Sequence, residues 1–306
     1  MSDTSARIEA WRVGFIGAGR LGTALAWSLA RRGCRVTAVV SRSSAAGEAL
    51  AEPIPGCRAS RGAQEVADAC DLVFVTTPDE AIESTVEHVR WRPGMAVVHC
   101  SGATEVMALG SAATQGAMIG GFHPMQTFGD PEAAVASLPG CTITVEAEEP
   151  LNALLAALAE RLECRVNRLP PGARGRYHAA AGYGSQFINV LLSEAVKIWR
   201  SWGGEEEDAV KALLPMIQGT LMSIERSGVV GGMPGPVSRG DVESVAKHVA
   251  GLRELDKEIL GLYSELCLRT IPMAEKRGGI DRTTAAQLER LLDDACRKVT
   301  DCAQRR

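Results

Sequence analysis

The segment from Tyr177 to Ser193 carries an unusual set of polar side chains. Its sequence, YHAAAGYGSQFINVLLS, contains no Asp, Glu, Lys or Arg, which predicts a helix that is buried on most sides. Polar and small residues recur in it at steps of four, three, four and four and so share one helix face: His178, Gly182, Ser185, Asn189 and Ser193, with Gln186 beside them. Such a stripe either satisfies other buried polar groups or lines a cavity, and a cavity predicts a binding site.

Histidine side chains are the candidates for proton transfer, because an unperturbed pKa of about 6.5 suits acid–base work near neutral pH. His178 is the first candidate, and a hydrogen-bonded core histidine is the alternative interpretation. His123, in Gly-Phe-His-Pro at the end of a predicted strand, is the second candidate. His99 lies inside a predicted strand and is expected to be buried, whereas His88 lies on an amphipathic helix and is expected at the surface.

The sequence GPVSRGD at 235–241 holds a second group of candidates. Arg239 can grip a substrate carboxylate or phosphate through two parallel hydrogen bonds. Asp241 is placed to N-cap the helix that begins at Val242, and His248 follows seven residues later, about two turns along the same face. For Asp241, capping and substrate binding stay open as alternatives, whereas Arg239 favours substrate binding.

The elements that position these residues begin with a glycine-rich turn. Residues 17–22 read G-x-G-x-x-G directly after a predicted strand and at the start of a predicted helix. In that setting the first glycine permits a tight turn, the second lets backbone approach a pyrophosphate, and the third lets the helix pack close to the strand. The predicted dinucleotide contacts are Gly17, Ala18, Gly19, Arg20, Leu21 and Gly22. The alternative is a glycine-rich turn without a ligand.

The end of the second predicted strand distinguishes NAD from NADP. A carboxylate there would bind the ribose 2′-hydroxyl, but this chain has Ser41-Arg42-Ser43 about twenty residues after the glycines and no Asp or Glu. Arg42 can pair with a 2′-phosphate, and the hydroxyls of Ser41 and Ser43 can donate to it. The pattern predicts NADP; the alternative is that Arg42 is a solvated loop residue.

Two further strand ends lie at the same predicted edge. Thr76, Thr77 and Pro78 follow one strand, and Ser101 follows another. Ligands of open α/β sheets lie beyond the carboxyl ends of the strands, so these loops are expected to run under the cofactor. Helix capping is the alternative role for Thr and Ser at these positions.

The order of apolar segments predicts the architecture. Up to Leu169, short continuous apolar strands alternate with helices, which predicts an α/β domain with a doubly wound parallel Rossmann sheet. After Pro170 only helices follow, including one continuous helix from Arg174 to Trp202 and a second from Glu205 to Arg226. We therefore expect an NADP-binding domain at 1–170 and an all-α substrate and dimerisation domain at 171–306.

Composition limits the classes of partner. The net charge of −4 and the pI of about 5.8 argue against nucleic acid and membrane surfaces, and aromatic residues make up 4% of the chain. The start of the chain lacks a signal-peptide pattern, and no apolar run reaches membrane-spanning length, so we expect a cytoplasmic protein. Nine scattered cysteines without a C-x-x-C pair predict reduced core residues and no metal site.

These motifs resemble those of known groups. GAGRLGTALA, VVSRS, VTTPDEAI and HCSGA resemble the superfamily of pyrroline-5-carboxylate reductase, ketopantoate reductase and 6-phosphogluconate dehydrogenase. HCSGA, FHPMQTF, YHAAA and GPxxRGD followed by a histidine resemble more closely an uncharacterised family of Rossmann-like oxidoreductases with a C-terminal helical domain of unknown function. The resemblance covers nearly the whole chain and implies a two-domain NADP-binding protein that is a homodimer through its helical domain.

The resemblance also bears on the chemistry. In better-known dehydrogenases of the superfamily, a lysine and an asparagine on the interdomain helix serve catalysis. His178 falls near the position of that lysine, and no lysine precedes Lys197 on the helix here. Gln186 stands where members of the closer family have Asn. A lysine acid is therefore disfavoured, and so is pyrroline-5-carboxylate reductase itself, because its serine- and threonine-rich C-terminal motif is missing.

The sequence thus predicts an NADP-dependent oxidoreductase that acts on a C=O or C=N bond of a small, polar, anionic substrate in a site between the two domains. His178 donates the proton, Ser101 and His123 orient the reacting group, and Arg239 holds an anionic tail. Two rival functions remain: a non-catalytic NADP(H)-binding sensor module and a deazaflavin-dependent NADP oxidoreductase.

Overall fold

The computed structural model describes residues 10–303, and the division between two compact units falls after Ser185. The first unit is built on an eight-stranded sheet: β1 (Arg12–Ile16), β2 (Arg35–Val40), β3 (Arg58–Ala59), β4 (Leu72–Val75), β5 (Ala96–His99), β6 (Met118–Met125), β7 (Thr142–Ala147) and β8 (Arg165–Arg168). Its helices are α1 (Arg20–Arg31), α2 (Ser44–Ala51), α3 (Ala63–Ala69), α4 (Ile82–Glu87), α5 (Gly110–Thr114), α6 (Pro131–Ser137), α7 (Leu151–Arg161) and α8 (Arg174–Tyr183).

The strand order is β3-β2-β1-β4-β5-β6-β7-β8. Its first six strands have the doubly wound order of dinucleotide-binding folds, so the predicted fold class is confirmed. The sheet departs from the predicted all-parallel arrangement at one place, because β7 runs antiparallel to β6. The chain between them forms α6, which packs against α1 instead of crossing back along the sheet.

The core of the first unit lies on both faces of this sheet. One face packs the rings of Phe15, Phe74 and Phe122 against α1 and α7. Phe15 stacks on Phe74 with centroids 5.3 Å apart, and Phe122 lies tilted to Phe74 at 5.5 Å. The other face packs Val73, Val97 and their neighbours against α3, α4 and α5. Strands that are buried on both faces explain the continuous apolar runs in the sequence.

The predicted continuous helix from Arg174 to Trp202 is wrong. Helix α8 ends at Tyr183, and α9 (Gln186–Arg200) begins in the second unit. Gly184 caps α8, and the Ser185 hydroxyl donates to the Ala181 carbonyl at 2.9 Å, which stabilises the end of α8. The polar stripe is consequently split between two helices.

The expected burial of this segment is also wrong. Tyr183 is 74% exposed, and the side chains of Phe187 and Val190 are exposed as well. The absence of charge between Tyr177 and Ser193 therefore does not reflect a position inside the core of either unit.

The second unit is helical. It consists of α9 with α10 (Glu206–Gly231), α11 (Val242–Leu255), α12 (Lys257–Lys276) and α13 (Arg282–Ala303). Helices α11, α12 and α13 enclose its core around Val245, Leu260 and Leu288. Gly228 interrupts α10 with a φ of 73°, close to the predicted helix end at Arg226. Residue 170, the predicted domain boundary, marks the end of the sheet, and α8 still belongs to the first unit.

Two general properties bear on the remaining expectations from the sequence. No helix within residues 10–303 is both long enough and apolar enough to cross a membrane. The cysteines at 34, 57, 70, 100, 141, 164 and 267 are free thiols. Cys296 and Cys302 lie outside the described side chains.

Candidate active site

A cleft of about 540 Å³ opens at the carboxyl edge of the sheet, where the strand order reverses between β1 and β4. The ends of β1, β2 and β4 supply most of its lining, which includes many of the predicted cofactor residues: Gly17, Ala18, Gly19, Ser41, Arg42, Ser43, Thr76, Thr77 and Pro78. Arg20 and Leu21 lie just beyond, in the first turn of α1. The sequence therefore located the edge at which this cleft forms.

The glycine turn is shaped to receive an anion. Gly17 has a φ of 114°, and a Cβ there would lie 2.6 Å from the Thr76 carbonyl oxygen. A Cβ on Gly22 would lie 2.6 Å from Thr76 Oγ1, which accounts for the close packing of α1 on the sheet. A Cβ on Gly19 would meet nothing within 4 Å, and no side chain caps the N-terminus of α1. The first N–H groups of α1 therefore stay available to a phosphate.

The loop after β2 supplies an exposed guanidinium to the cleft rim. Arg42 and Ser43 are exposed, and Ser41 is partly so. Ser43 also caps α2, because its hydroxyl accepts from the Ala46 N–H at 3.3 Å. Among the described residues that line the cleft there is no carboxylate. This donor set fits a ribose 2′-phosphate better than a free 2′-hydroxyl.

The two threonine hydroxyls in the loop after β4 have different surroundings. Thr76 Oγ1 donates to the Gly17 carbonyl at 2.8 Å and so fixes the glycine turn. Thr77 Oγ1 is buried without a hydrogen-bond partner among the described residues. An unpaired hydroxyl in the cleft wall is costly unless a ligand satisfies it, which supports the fit of this cleft to a polar cofactor.

A second group of polar residues joins the cleft at the end of β5. Ser101 Oγ donates to Asp79 Oδ2 at 2.6 Å, and Asp79 follows directly on Pro78 of the cleft wall. The same oxygen accepts from the Ala103 and Thr104 N–H groups. Ser101 is buried and its hydroxyl is fully engaged, so it holds the turn in place. Its predicted contact with the reacting group stays a prediction.

Two imidazoles converge on Gly102, the next residue of this turn. A Cβ at Gly102 would clash with Nδ1 of His178 and would lie 2.9 Å from Nε2 of His123. The two rings stand edge to face with centroids 5.8 Å apart. The structure thus brings together both predicted acid–base candidates, His178 on the exposed side and His123 half-buried on β6. Gly102 is required for this close approach.

Tyr177 completes the group. Its hydroxyl lies 2.6 Å from Nδ1 of His123, and burial raises the pKa of Tyr177 while a hydrogen bond with Thr144 opposes that rise. Burial, His178 and the Arg174 guanidinium lower the pKa of His123 to about 4, against a smaller opposing effect of Asp79. His123 is therefore a neutral imidazole at physiological pH.

A buried ion pair lies beneath these rings. Arg174 has no exposed side-chain surface; its Nε donates to Glu146 Oε2 at 2.5 Å and its Nη1 to the Ser101 carbonyl at 2.6 Å. The guanidinium lies directly on the backbone of Gly121, where any Cβ would overlap it. Burial raises the pKa of Glu146, and the charge of Arg174 opposes that rise. Arg174 thus fastens the start of α8 to β5, β6 and β7.

His99 lies at the end of β5 with no exposed surface, as expected. Its Nδ1 accepts from the Ser101 N–H at 3.2 Å. Burial, together with the charges of Arg174 and His123, lowers the pKa of His99 to about 3. His99 is a neutral structural support of the turn that carries Ser101. His88 is exposed on the surface, also as expected.

Sequence reasoning missed Tyr177, Arg174, Glu146, Thr144 and Asp79. Two indications were present: Tyr177 adjoins His178, and Arg174 opens the helix on the face of His178. Arg239 and Asp241 belong to the second unit, where Asp241 accepts from the Ser244 N–H at 3.0 Å and caps α11 as predicted. No group of three or more His, Cys, Asp or Glu side chains within the described residues could hold a metal ion.

Comparisons with known families agree with this architecture. Residues 1–124 match the Rossmann-like domain family, which defines the class of the first unit. Residues 141–270 match the family described as Domain of unknown function DUF2520. The chain therefore combines a Rossmann-like domain with a DUF2520 domain, and the resemblance predicted from the sequence is confirmed. No curated protein matches the chain.

Solved structures share the fold. A Bacteroides fragilis protein provisionally assigned as an NADP oxidoreductase is 25% identical, with a TM-score of 0.67, over 87% of this chain and 99% of its own. A Thermotoga maritima protein is 22% identical over the same shares, with a TM-score of 0.72. A reductive aminase from Aspergillus terreus, solved with NADPH and ethyl-5-oxohexanoate, is 17% identical over 94% of each chain, with a TM-score of 0.61.

Proposed function

We propose that this protein is an NADP-dependent oxidoreductase that acts on a C=O or C=N bond of a small polar substrate. The observation that carries the proposal is the continuity between the glycine-turn cleft and the histidine pair. Asp79, at the end of the cleft wall, binds Ser101, and the adjoining Gly102 contacts both His123 and His178. A cofactor cleft and a pair of imidazoles therefore share one edge of the sheet.

The residues present fit NADP. The uncapped N-terminus of α1 and Gly19 would hold the pyrophosphate, Arg42 and Ser41 the 2′-phosphate, and Thr77 would gain the partner that its buried hydroxyl lacks. When bound, NADPH supplies a hydride to the substrate carbon. The oxygen or nitrogen of the reduced bond then takes one proton, which we assign to His178. The NADP-linked names of structural relatives support this choice of cofactor.

The remaining features of the substrate and the assembly stay predictions. Arg239 is exposed in the second unit, and we propose that it binds an anionic group of the substrate. The homodimer predicted from the family resemblance would cover the exposed apolar side chains of α10, such as Leu221 and Met222. Light scattering of the purified protein tests the homodimer, and a mass of 32.4 kDa, that of a single chain, would contradict it.

Titration calorimetry with NADPH and NADH tests the cofactor. We expect NADPH to bind more tightly, and R42A to lose about tenfold or more in NADPH affinity while NADH affinity is unchanged, because a charge-assisted contact to phosphate contributes roughly 1.5–3 kcal/mol. R35A is the matched control, since Arg35 lies at the opposite end of β2. Absence of dinucleotide binding would remove the proposal.

Turnover of oxo-acids and imines with NADPH then separates the enzyme from its rivals. Binding without turnover of any carbonyl or imine would favour the sensor module. An absorbance change on mixing NADPH with a deazaflavin would favour hydride exchange between cofactors.

A further inference from the structure

One row of side chains crosses three adjacent strands beside the histidine pair. His123 on β6 lies opposite Thr144 on β7 in the antiparallel register, and Thr144 lies opposite Asn167 on β8. Partners in register point to the same face of a sheet, so the three side chains are neighbours. Tyr177 of α8 covers this row, with its hydroxyl 2.6 Å from His123 Nδ1.

The hydrogen bonds in this row begin at Asn167. Asn167 Nδ2 donates to Thr144 Oγ1 at 3.1 Å, so the Thr144 hydroxyl has its own proton free to donate onward. Thr144 is fully buried on the strand beside His123, and its interaction with Tyr177 opposes the rise in the Tyr177 pKa. A Thr144 hydroxyl that donates to the Tyr177 oxygen would leave the Tyr177 proton to His123 Nδ1, 2.6 Å away.

We infer that Asn167, Thr144 and Tyr177 form a positioning relay that holds His123 as the neutral tautomer with its proton on Nε2. This nitrogen is the one that approaches Gly102 and the ring of His178. Within the described residues it has no hydrogen-bond partner, so it is available to a ligand.

The inference rests on the proposed function for the role of His123 and refines it. His123 donates a hydrogen bond to the carbonyl oxygen or imine nitrogen and polarises the bond without releasing its proton. His178 remains the group that gives the proton. Two adjacent histidines thereby have different roles, because one is held neutral by its surroundings and the other is exposed.

Several charged and titratable groups face His123 from the elements around it. They are His178, Arg174 and Tyr177 from α8, Asp79 after β4, and His99 at the end of β5. His178 and the Arg174 guanidinium disfavour a second proton on His123, and Asp79 opposes them weakly. The neutral form is therefore expected to persist as the pH falls to about 5.

Long-range proton–nitrogen NMR of the full chain labelled with ¹⁵N-histidine tests the inference, because it reports which ring nitrogen carries the proton. The chain has five histidines, so loss of one set of signals in His123→Gln assigns His123. We expect the Nε2–H tautomer at pH 7 and at pH 5. A proton on Nδ1 in the wild type at pH 7 would overturn the inference.

Two variants test the relay itself, and a third serves as the control. Tyr177→Phe removes the donor and is expected to give a mixture of both tautomers. Asn167→Asp keeps the size but can only accept, so the relay reverses and a proton is expected on Nδ1 of His123. Tyr263→Phe is the matched control: the Tyr263 hydroxyl lies 2.9 Å from Nδ1 of His248, so only His248 signals are expected to change.

An unchanged His123 tautomer in both relay variants would also overturn the inference. The measurement needs neither cofactor nor substrate. A wrong tautomer would leave NADPH binding intact, and a failure to bind NADPH would leave the tautomer unchanged, so the two proposals fail separately.

Discussion

The molecule contains two histidine–tyrosine pairs with nearly the same local geometry. In the first unit, His123 and Tyr177 are 2.6 Å apart with ring centroids at 5.5 Å. In the second unit, His248 and Tyr263 are 2.9 Å apart with ring centroids at 5.8 Å, and both pairs meet edge to face. Their surroundings differ. The first pair has a second imidazole, a buried guanidinium and the cleft nearby, whereas His248 is exposed on α11.

This difference shows that the pair itself does not define a site. A hydrogen bond between a tyrosine and a histidine can simply join two helices, as His248 and Tyr263 join α11 and α12. Burial lowers the pKa of His123 to about 4, and its Nε2 faces Gly102, which is why we propose a chemical role for the first pair.

The largest expected effect is on turnover. It depends on His178, the second imidazole beside the pair of His123 and Tyr177. His178→Ala is expected to lower kcat by about 10²–10⁴-fold with NADPH affinity unchanged, because a general acid contributes about that much. Steady-state kinetics and calorimetry measure the two quantities. The control is His88→Ala, which alters an exposed histidine on α4's C-terminal end and is expected to keep wild-type rates. Equal rates for the wild type and His178→Ala would contradict the role.

The second largest expected effect is on stability, through the buried ion pair of Arg174 and Glu146 that lies beneath His123. Arg174→Met leaves Glu146 buried without its partner, so the free energy of unfolding is expected to fall by about 3–5 kcal/mol. Denaturant unfolding measures it. The matched control is Arg32→Met, which breaks the exposed 2.6 Å pair with Glu163 and is expected to change little. Similar losses in both variants would show that burial of the Arg174 pair has no special weight.

The smallest effect is the dependence of stability on pH. The pKa of His123 lies at about 4 in the folded chain, below the ordinary value of 6.5, so folding favours the neutral ring. The resulting contribution of His123 to the free energy of unfolding amounts to about 3 kcal/mol. It is fully present above pH 6.5 and is lost as the pH falls towards 4. Denaturant unfolding at several pH values should therefore show that stability falls less on acidification in His123→Gln than in the wild type. Parallel curves would contradict this expectation.

The cofactor cleft and the histidine pair also differ in how far the sequence predicted them. The G-x-G-x-x-G turn, Ser41 to Ser43 and Thr76 to Pro78 each follow a strand, and the carboxyl ends of parallel strands meet at one edge. The contact between His123 and His178 was not predicted, because it joins β6 to α8 and the two residues lie more than 50 positions apart in the chain. Local patterns report neighbours along one element and not contacts between distant elements.

The sequence by itself determined the alternation of strands and helices and the glycine turn, and it predicted a phosphate at Arg42, because each depends on residues close together in the chain. Only the tertiary structure decided that Tyr177, Thr144, Asn167 and Arg174 surround His123. Those contacts depend on the antiparallel register of β6 and β7 and on the seat of α8 over Gly121. Both are set by packing between residues far apart in sequence, which no local spacing encodes.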